Sequence, residues 1–400
     1  MIHRHQLGQV PAKPHTAFYE GDKLLMEQCV TREGFEGPFS ILYYRIPPTD
    51  ETRVEQMGVP GFCPFEMVEE QPLHRRHVKT QDIRADGDFL TARRTLMVNS
   101  DVQIGVCKAN RPADRFFSNA DGDECWFAYD RGGVVESVYG ILPYRKHDYV
   151  LIPKATPYRI HPEGGAGTFL VFEGRGYIDI PKQWRNKAGQ ITMYAPYTHR
   201  DFRAPEALLR FDEKKHGKGL YPLVIKKDDR LTVHVYEHFP YELVGWDGFV
   251  YPVAFNIHDY QPRTGLIHLP PTIHLTFAGN DFVICSFVPR KVDYHEKSIP
   301  CPYGHASPDC DEILYYVDGT FTSRKGIESQ SISLHPAGVP HGPHPGTYAK
   351  SIGTRETQEL AVMCDTLKPL RLTKFADGIE DKDYHFSWVR RENEGMGLSK

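Results

Sequence analysis

Glycine and proline divide this 400-residue chain into short segments, and this punctuation is the strongest constraint on its fold. The 34 glycines and 31 prolines make up about 16% of the residues, against an average of ~12%. Between them lie short runs rich in Val, Ile, Tyr and Phe, a pattern typical of strands joined by turns. The sequence therefore predicts an all-β protein with few short helices. The best helical pattern is at 205–215, where a proline precedes Leu208, Leu209 and Phe211.

One β unit occurs twice in the sequence. In residues 119–161, Glu124 precedes the apolar run CWFA, a glycine turn, further strand and the turn Pro157-Tyr158. In residues 304–341, Glu312 precedes ILYYVDG, and the second copy ends at Pro340-His341. Such self-similarity predicts two related β domains. We place an N-terminal arm and a first domain in 1–240 and a second domain in 241–400.

The second copy carries the residues of a metal site, and the first does not. His305, Glu312 and His341 are two imidazoles and one carboxylate, the set that holds iron(II) on one face and leaves the other open. At the aligned positions the first copy has Asn119, Glu124 and Tyr158, and amide and phenol groups are poor ligands beside imidazole. We therefore expect a metal in the second domain and a first domain without one.

Charge and hydropathy exclude several classes of protein. A formal net charge of −4 and a pI near 6.6 create no field that would attract nucleic acid or an anionic membrane. We find neither an apolar run of about 20 residues nor the apolar core of a signal peptide. The eight cysteines include no CxxC pair, so we expect free thiols. These features predict a cytoplasmic protein with no nucleic-acid or membrane partner.

Several segments, taken in order along the chain, resemble the homogentisate 1,2-dioxygenase family. They are LYYRIPP (42–48), FFSNADGDE (116–124), VGWDG (244–248), DFVICSFVPR (281–290), and the stretch from His305 to the PHGP turn at His341. The resemblance implies a bicupin, two double-stranded β-helix barrels with Fe(2+) in the second. It also implies ring cleavage of homogentisate to maleylacetoacetate, in tyrosine and phenylalanine catabolism. The partners would be a small aromatic substrate and dioxygen, in a homo-oligomer (trimer or hexamer).

The resemblance also implies individual roles. The iron ligands would be His305, Glu312 and His341, and the catalytic base would be His268, in HLPPTI. Substrate-binding positions would be Tyr303, His335 and the ligand His341. Arg324, beyond the second acidic strand, could contact a substrate carboxylate.

Two departures from the family pattern leave alternatives open. The spacing His-x6-Glu is one residue longer than the family's usual His-x5-Glu, so Asp311 competes with Glu312 as the carboxylate ligand. Phe321 stands where the family has a substrate-holding tyrosine, so the substrate is homogentisate or a related dihydroxylated aromatic acid. Two other functions fit the same barrel. One is a cupin isomerase or hydrolase with a different divalent metal, and the other is a non-catalytic binding bicupin.

Overall fold

The computed structural model describes residues 2–70, 72–265, 273–319, 321 and 326–389. Up to Tyr236 the strands are β1 (His5–Gly8), β2 (Tyr19–Glu20), β3 (Lys23–Leu24), β4 (Met26–Thr31), β5 (Phe39–Tyr44), β6 (Arg53–Met57), β7 (Arg76–Val78), β8 (Arg93–Val98), β9 (Val102–Ala109), β10 (Phe116–Asn119), β11 (Glu124–Ala128), β12 (Gly133–Ser137), β13 (Gly140–Tyr144), β14 (Asp148–Ile152), β15 (Tyr158–Pro162), β16 (Gly167–Gly174), β17 (Phe202–Arg203), β18 (Tyr221–Lys227) and β19 (Arg230–Tyr236). The later strands are β20 (Leu243–Gly248), β21 (Val253–Asn256), β22 (Leu275–Ala278), β23 (Phe282–Phe287), β24 (Arg290–Lys291), β25 (Asp311–Asp318), β26 (Ile332–His335), β27 (Glu356–Thr357), β28 (Leu360–Thr366) and β29 (Arg371–Leu372).

The α-helices in the described parts of the chain are short, which confirms the all-β prediction. They are α1 (Glu213–His216), α2 (Thr347–Ser351) and α3 (Lys374–Gly378). The prediction of a longer helix at 205–215 is wrong except at its end, where α1 begins at Glu213. Ala207 instead forms a β-bridge with Ile141, and Leu209 is buried in the core. Tertiary pairing here overrides local helix propensity.

Two sheets repeat the same arrangement, one in each half of the chain. The eight-stranded sheet has the order β17-β21-β14-β11-β16-β9-β8-β29, and the six-stranded sheet has the order β22-β23-β28-β25-β26-β7. The acidic strand β11 lies between β14 and β16, and the acidic strand β25 lies between β26 and β28. The two acidic strands therefore occupy equivalent places in two β barrels.

Each barrel borrows strands from the other half of the sequence. Strand β7 pairs with β26 in the six-stranded sheet, while β29 pairs with β8 in the eight-stranded sheet. Strands β20 and β21, which follow residue 240, pair with β5 and β14 of the first half. The boundary at residue 240 stays a prediction, and these pairings show that chain segments cross it in both directions.

Of the remaining large sheets, one completes the first barrel and shares its core with the eight-stranded sheet, and the other is formed by the N-terminal arm. A seven-stranded sheet has the order β13-β12-β15-β10-β18-β19-β6, and a four-stranded arm sheet has the order β1-β20-β5-β4. Strands β10 and β18 run parallel, with Phe117 opposite Val224. The arm sheet thus anchors the N-terminal segment to later parts of the chain.

Strand β11 shows how the core is divided. Cys125 and Phe127 belong to a hydrophobic cluster that extends into both halves, and Trp126 and Ala128 belong to a second cluster confined to the first barrel. Because successive side chains of a strand point to opposite faces, a strand buried on both faces is apolar at nearly every position. No helix in the described ranges has the length and apolarity needed to cross a membrane.

Candidate metal centre

His305 and His341 are brought together by a two-way backbone bridge. The amide of His305 donates to the carbonyl of His341, the reverse bond is also present, and both are 2.8 Å long. The ring centroids are 4.3 Å apart. The neighbouring glycines allow this approach, since a Cβ on Gly342 would lie 2.7 Å from the Cα of Gly304.

Hydrogen bonds on the far side of each ring determine which nitrogen can bind a metal. His305 Nδ1 lies 3.0 Å from the carbonyl oxygen of Tyr303, and His341 Nδ1 lies 3.2 Å from that of Val339. A carbonyl oxygen can only accept, so in both rings Nδ1 carries the proton and donates it. The lone pair of each neutral imidazole is then on Nε2, the form that ligates a metal.

Glu312 supplies the third group. One atom from each of His305, Glu312 and His341 can be chosen so that all three lie within 4.8 Å of one another. Burial disfavours the charged carboxylate, but the contacts with His335 and His341 outweigh burial and hold the pKa of Glu312 well below its usual value. The carboxyl is therefore an anion that can bind a cation.

The donor atoms fit a divalent transition metal. His341 Nε2 is buried, lies 3.6 Å from Glu312 Oε1, and finds no hydrogen-bond partner within the described ranges. A buried nitrogen left in this state is costly unless something binds it. Two imidazole nitrogens and one carboxylate oxygen suit iron(II), and they also suit other divalent metals.

Both carboxylate oxygens of Asp311 already accept hydrogen bonds from the backbone. One oxygen of its carboxylate accepts from the amide of Ala337 and the other accepts from the amide of Leu370, both at 2.7 Å. Adjacent residues of a strand face opposite sides, so Asp311 and Glu312 cannot both face the histidines. Asp311 ties two chain segments to β25, and Glu312 is the carboxylate in the candidate centre.

His335 lies behind the carboxylate. Its Nδ1 donates to Glu312 Oε1 at 2.8 Å, its side chain is buried, and its ring stacks on that of His341 at 4.4 Å between centroids. A partner of this kind fixes the orientation of a ligand. His335 thus contacts two of the three candidate ligands.

An open cavity of about 450 Å³ lies over the histidine pair. Arg75, Tyr348 and Trp388 line it together with His305 and His341. The guanidinium of Arg75 lies 4.1 Å above the Trp388 ring, a distance typical of a cation–π contact. The cavity thus offers aromatic faces and a positive charge beside the candidate ligands, which suits an aromatic acid.

These three wall residues were not predicted from the sequence. Arg75 precedes β7, the strand that the first half contributes to the second barrel, and Trp388 lies near the end of the described chain. Both residues are far in the sequence from the motif that contains the candidate ligands, so that motif does not point to them. To predict Arg75, one would have to know that β7 pairs with β26 of the second barrel, and a strand of three residues gives almost no sequence signal for such a pairing.

Family models account for most of the chain. The model of the N-terminal domain of homogentisate 1,2-dioxygenase matches residues 61–257, and that of the C-terminal domain matches residues 252–394. The chain belongs to the homogentisate 1,2-dioxygenase family. This membership confirms the bicupin prediction and makes the protein a member of a dioxygenase family.

Several individual proteins are similar to this chain. A Saccharolobus solfataricus protein with a provisional dioxygenase name is 35% identical over 97% of this chain and 99% of its own length. Homogentisate 1,2-dioxygenase of Nitrobacter hamburgensis is 26% identical, covering 69% of this chain and 63% of that enzyme. A cupin 2 conserved barrel domain protein from Leptotrichia buccalis aligns with a TM-score of 0.35 at 10% identity, over 77% of this chain and 100% of that chain.

The structure does not test every site residue predicted from the family. His268 and Arg324 lie outside the described residues. Tyr303 is 44% exposed, and its ring is edge-on to that of His305 at 6.4 Å. Phe321 packs edge-on against Tyr316, 4.7 Å between centroids. The roles of His268, Arg324, Tyr303 and His335 in substrate binding or catalysis stay predictions.

A second acidic group in this family member is already paired with cationic side chains. Asp121, Glu173 and Asp229 offer oxygens within 4.8 Å of one another. The ammonium of Lys226 forms ion pairs with all three carboxylates. Arg175 adds ion pairs to Asp121 and Asp229. Cationic side chains already neutralise this cluster, so it is a buried salt-bridge network.

Proposed function

We propose that this protein is an iron(II)-dependent ring-cleaving dioxygenase that acts on homogentisate or a related dihydroxylated aromatic acid. The observation that carries the proposal is the convergence of His305, Glu312 and His341 beneath an open, aromatic-lined cavity. Such a three-residue set leaves coordination positions open on one side of a metal. Family membership supplies the reaction class, and the donor set supports iron.

The chain's own residues would divide the work as follows. The Nε2 atoms of His305 and His341 and the carboxylate of Glu312 would hold the metal, and His335 would hold Glu312 in place. Bound iron(II) would supply Lewis acidity towards a phenol and the electrons needed to activate dioxygen. His268 is our candidate for the base that accepts the phenol proton, because a neutral histidine suits that task near pH 7.

The cavity suggests how a substrate would be oriented. The rings of Tyr348 and Trp388 can contact an aromatic substrate, and Arg75 can pair with a carboxylate. This contact would add to the one predicted for Arg324. Holding the ring at a fixed distance from the metal is a gain in proximity, which can lower a reaction barrier by several kcal/mol, about 7 or more in favourable cases.

Metal content and oxygen consumption test the proposal together. Protein purified without oxygen should contain iron, and it should consume oxygen with homogentisate or another member of a panel of dihydroxybenzene acids. Bound zinc or manganese with no oxygen uptake across the panel would favour the isomerase or hydrolase alternative. Absence of bound metal after purification in metal-supplemented medium would favour the non-catalytic bicupin.

Arg75→Met tests the predicted carboxylate contact. It should raise KM for an aromatic acid about tenfold, as expected for loss of a charged hydrogen bond, and leave the KM of uncharged hydroquinone analogues nearly unchanged. Arg111→Met is the control, because Arg111 pairs with Asp86 on the surface. An equal change for acid and uncharged analogue would contradict a carboxylate contact at Arg75.

A further inference from the structure

A second cavity lies outside the candidate metal centre, between the arm sheet and the first barrel. Its volume is about 270 Å³. Leu42 and Tyr44 of β5 form part of its wall on the arm side, and Ser118 of β10 and Leu223 of β18 form part of it on the barrel side. Phe117, between Phe116 and Ser118, belongs to the core cluster of the first barrel, so Ser118 faces outward, towards the arm.

The wall of this arm cavity is apolar and aromatic but carries hydroxyl groups. Tyr44, Tyr139, Tyr236 and Tyr241 all contribute to it. Tyr44 donates to the side-chain oxygen of Gln28 at 2.8 Å. No Lys, Arg, Asp, Glu or His occurs among the described residues that line it. A charged ligand would lose its hydration here without gaining a partner.

Three wall residues have unused hydrogen-bonding capacity. The hydroxyl oxygens of Tyr139, Tyr241 and Thr156 are buried and have no hydrogen-bond partner within the described ranges. These residues are 1%, 2% and 2% exposed. Burial raises the pKa of Tyr241, the neighbouring Tyr236 and Tyr44 raise it further, and Arg159 acts in the opposite direction, so the Tyr241 hydroxyl stays protonated near neutral pH.

The wall of the arm cavity suits an aromatic ring better than it suits water. Water fills a cavity well only where two to four polar partners surround each molecule. Here aromatic and aliphatic surface predominates, and the free hydroxyls are few. A ring with one polar group matches such a wall better than water does.

We infer that the arm cavity binds a small, uncharged, single-ring phenol, distinct from any substrate held at the metal centre. The tyrosine rings would contact the faces and edges of the ligand ring. The unused hydroxyls of Tyr139 and Tyr241 would exchange hydrogen bonds with the ligand hydroxyl. The inference does not depend on the proposed dioxygenase reaction, since it uses none of the residues of the metal centre.

Crystals of the full-length protein soaked in 4-bromophenol test the inference directly. The anomalous signal of bromine should appear between the arm sheet and β10, and it should survive in a His305→Ala chain. That background removes phenol binding that depends on the metal centre. With the His305→Ala background, a failure of the metal-centre proposal can be told apart from a failure of the arm-cavity inference. Ordered water alone in the cavity, or bromine only near His341, would overturn the inference.

Calorimetry with 4-bromophenol on the same His305→Ala background measures the contribution of the hydroxyls. The Tyr139→Phe/Tyr241→Phe pair should weaken binding about tenfold, as expected for two neutral hydrogen bonds. Tyr43→Phe is the matched control, because Tyr43 is on the same strand as Tyr44, and its buried hydroxyl also has no partner in the described residues, yet it does not line the cavity. It should leave the affinity unchanged.

A cavity-filling variant provides an independent check. Ser118→Leu should abolish binding by occupying the space, while circular dichroism confirms that the chain is folded. The tyrosine pair removes only oxygen atoms, so it remains informative if Ser118→Leu fails to fold. Equal affinity in the tyrosine pair and the Tyr43→Phe control would overturn the hydrogen-bonding role, and with it the specificity for a phenol.

Discussion

The two acidic strands occupy equivalent places but surround their carboxylates with different chemistry. In the second barrel, Glu312 contacts His335 and lies beside His341. In the first barrel, Glu124 accepts from the guanidinium of Arg93 at 2.7 Å and from the hydroxyl of Tyr158. One carboxylate is surrounded by imidazole groups, and the other already has a permanent cation.

The cross-strand register makes the comparison residue by residue. Phe117 pairs with Tyr158 as His305 pairs with His341, and six residues lie between Phe117 and Glu124, just as six lie between His305 and Glu312. The structure therefore aligns Phe117 with His305, and the sequence-based alignment of Asn119 was wrong by two positions. Asn119 instead accepts backbone hydrogen bonds from Asp121 and Gly122.

The difference teaches that one scaffold can stabilise a buried carboxylate in two ways. Arg93 pairs with both Glu124 and Glu173, and its guanidinium lies 4.0 Å from the Phe62 ring. Arg93 supplies a positive charge in the first site, so both of its carboxylates already have a partner. The rings of His305 and His341 present Nε2 lone pairs, so the second site can bind an external cation.

The largest effect is expected from Glu312→Gln. This change removes the negative charge of the proposed centre while keeping its shape. Metal content and oxygen uptake should fall at least ~100-fold, because loss of a side chain that only contacts a metal ligand can already cost that much. Metal analysis and an oxygen electrode measure both. Retention of metal by Glu312→Gln would break the comparison, because the carboxylate would then not be a ligand.

Glu124→Gln, the matched change in the first barrel, should leave metal content unchanged but lower stability. It leaves the buried Arg93 with one carboxylate, so the free energy of unfolding should fall by about 3 kcal/mol. Urea denaturation measures the change. Oxygen uptake per folded molecule should match that of the unmodified chain, and a selective loss of activity would show that the first centre is not merely structural.

His335→Ala should have an intermediate effect. Removing the donor to Glu312 lets the carboxylate reorient, which should weaken metal binding by about 10- to 100-fold. Competition with a chelator measures the affinity. Ser333→Ala on the same strand is the control, and His335→Asn should recover part of the loss if the hydrogen bond to Glu312 is what matters.

The smallest effect concerns a histidine pair in the first barrel. Burial, then Lys146 and His258, lowers the pKa of His147 to about 4, and Asp318 acts in the opposite direction. Its Nδ1 lies 2.9 Å from Nε2 of His258. Because the folded-state pKa lies below the unfolded value, stability is present above pH ~6.5 and is lost as pH falls towards 4.

Replacing this histidine tests the sign. Over that pH range the wild-type chain should lose about 1–2 kcal/mol more stability than His147→Gln, allowing for solvent screening. Urea denaturation at pH 7, 5.5 and 4.5 measures it. Parallel pH profiles for the two chains would contradict the assignment, and a selective loss of metal by His147→Gln at pH 7 would extend the histidine chemistry beyond the second barrel.

Much of the architecture could be read from the sequence because its causes are local. Glycine and proline placement specifies turns, apolar runs such as CWFA specify strands buried on both faces, and the two acidic strands revealed the repeat. The helix at 205–215 failed for the complementary reason. Its residues favour a helix locally, but Ala207 gains more by bridging to Ile141.

The sequence by itself determined the β architecture, the repeat and the candidate trio His305, Glu312 and His341. Only the tertiary structure decided that Asp311 braces two chain segments, that both histidines present Nε2, and that Arg75 and Trp388 line the cavity. The physical reason is the sequence separation over which each effect acts. Strand alternation and turn chemistry act over a few residues, whereas the partners of a carboxylate come from segments that are distant in the sequence and meet only in the folded barrel, as Arg93 and Tyr158 meet Glu124.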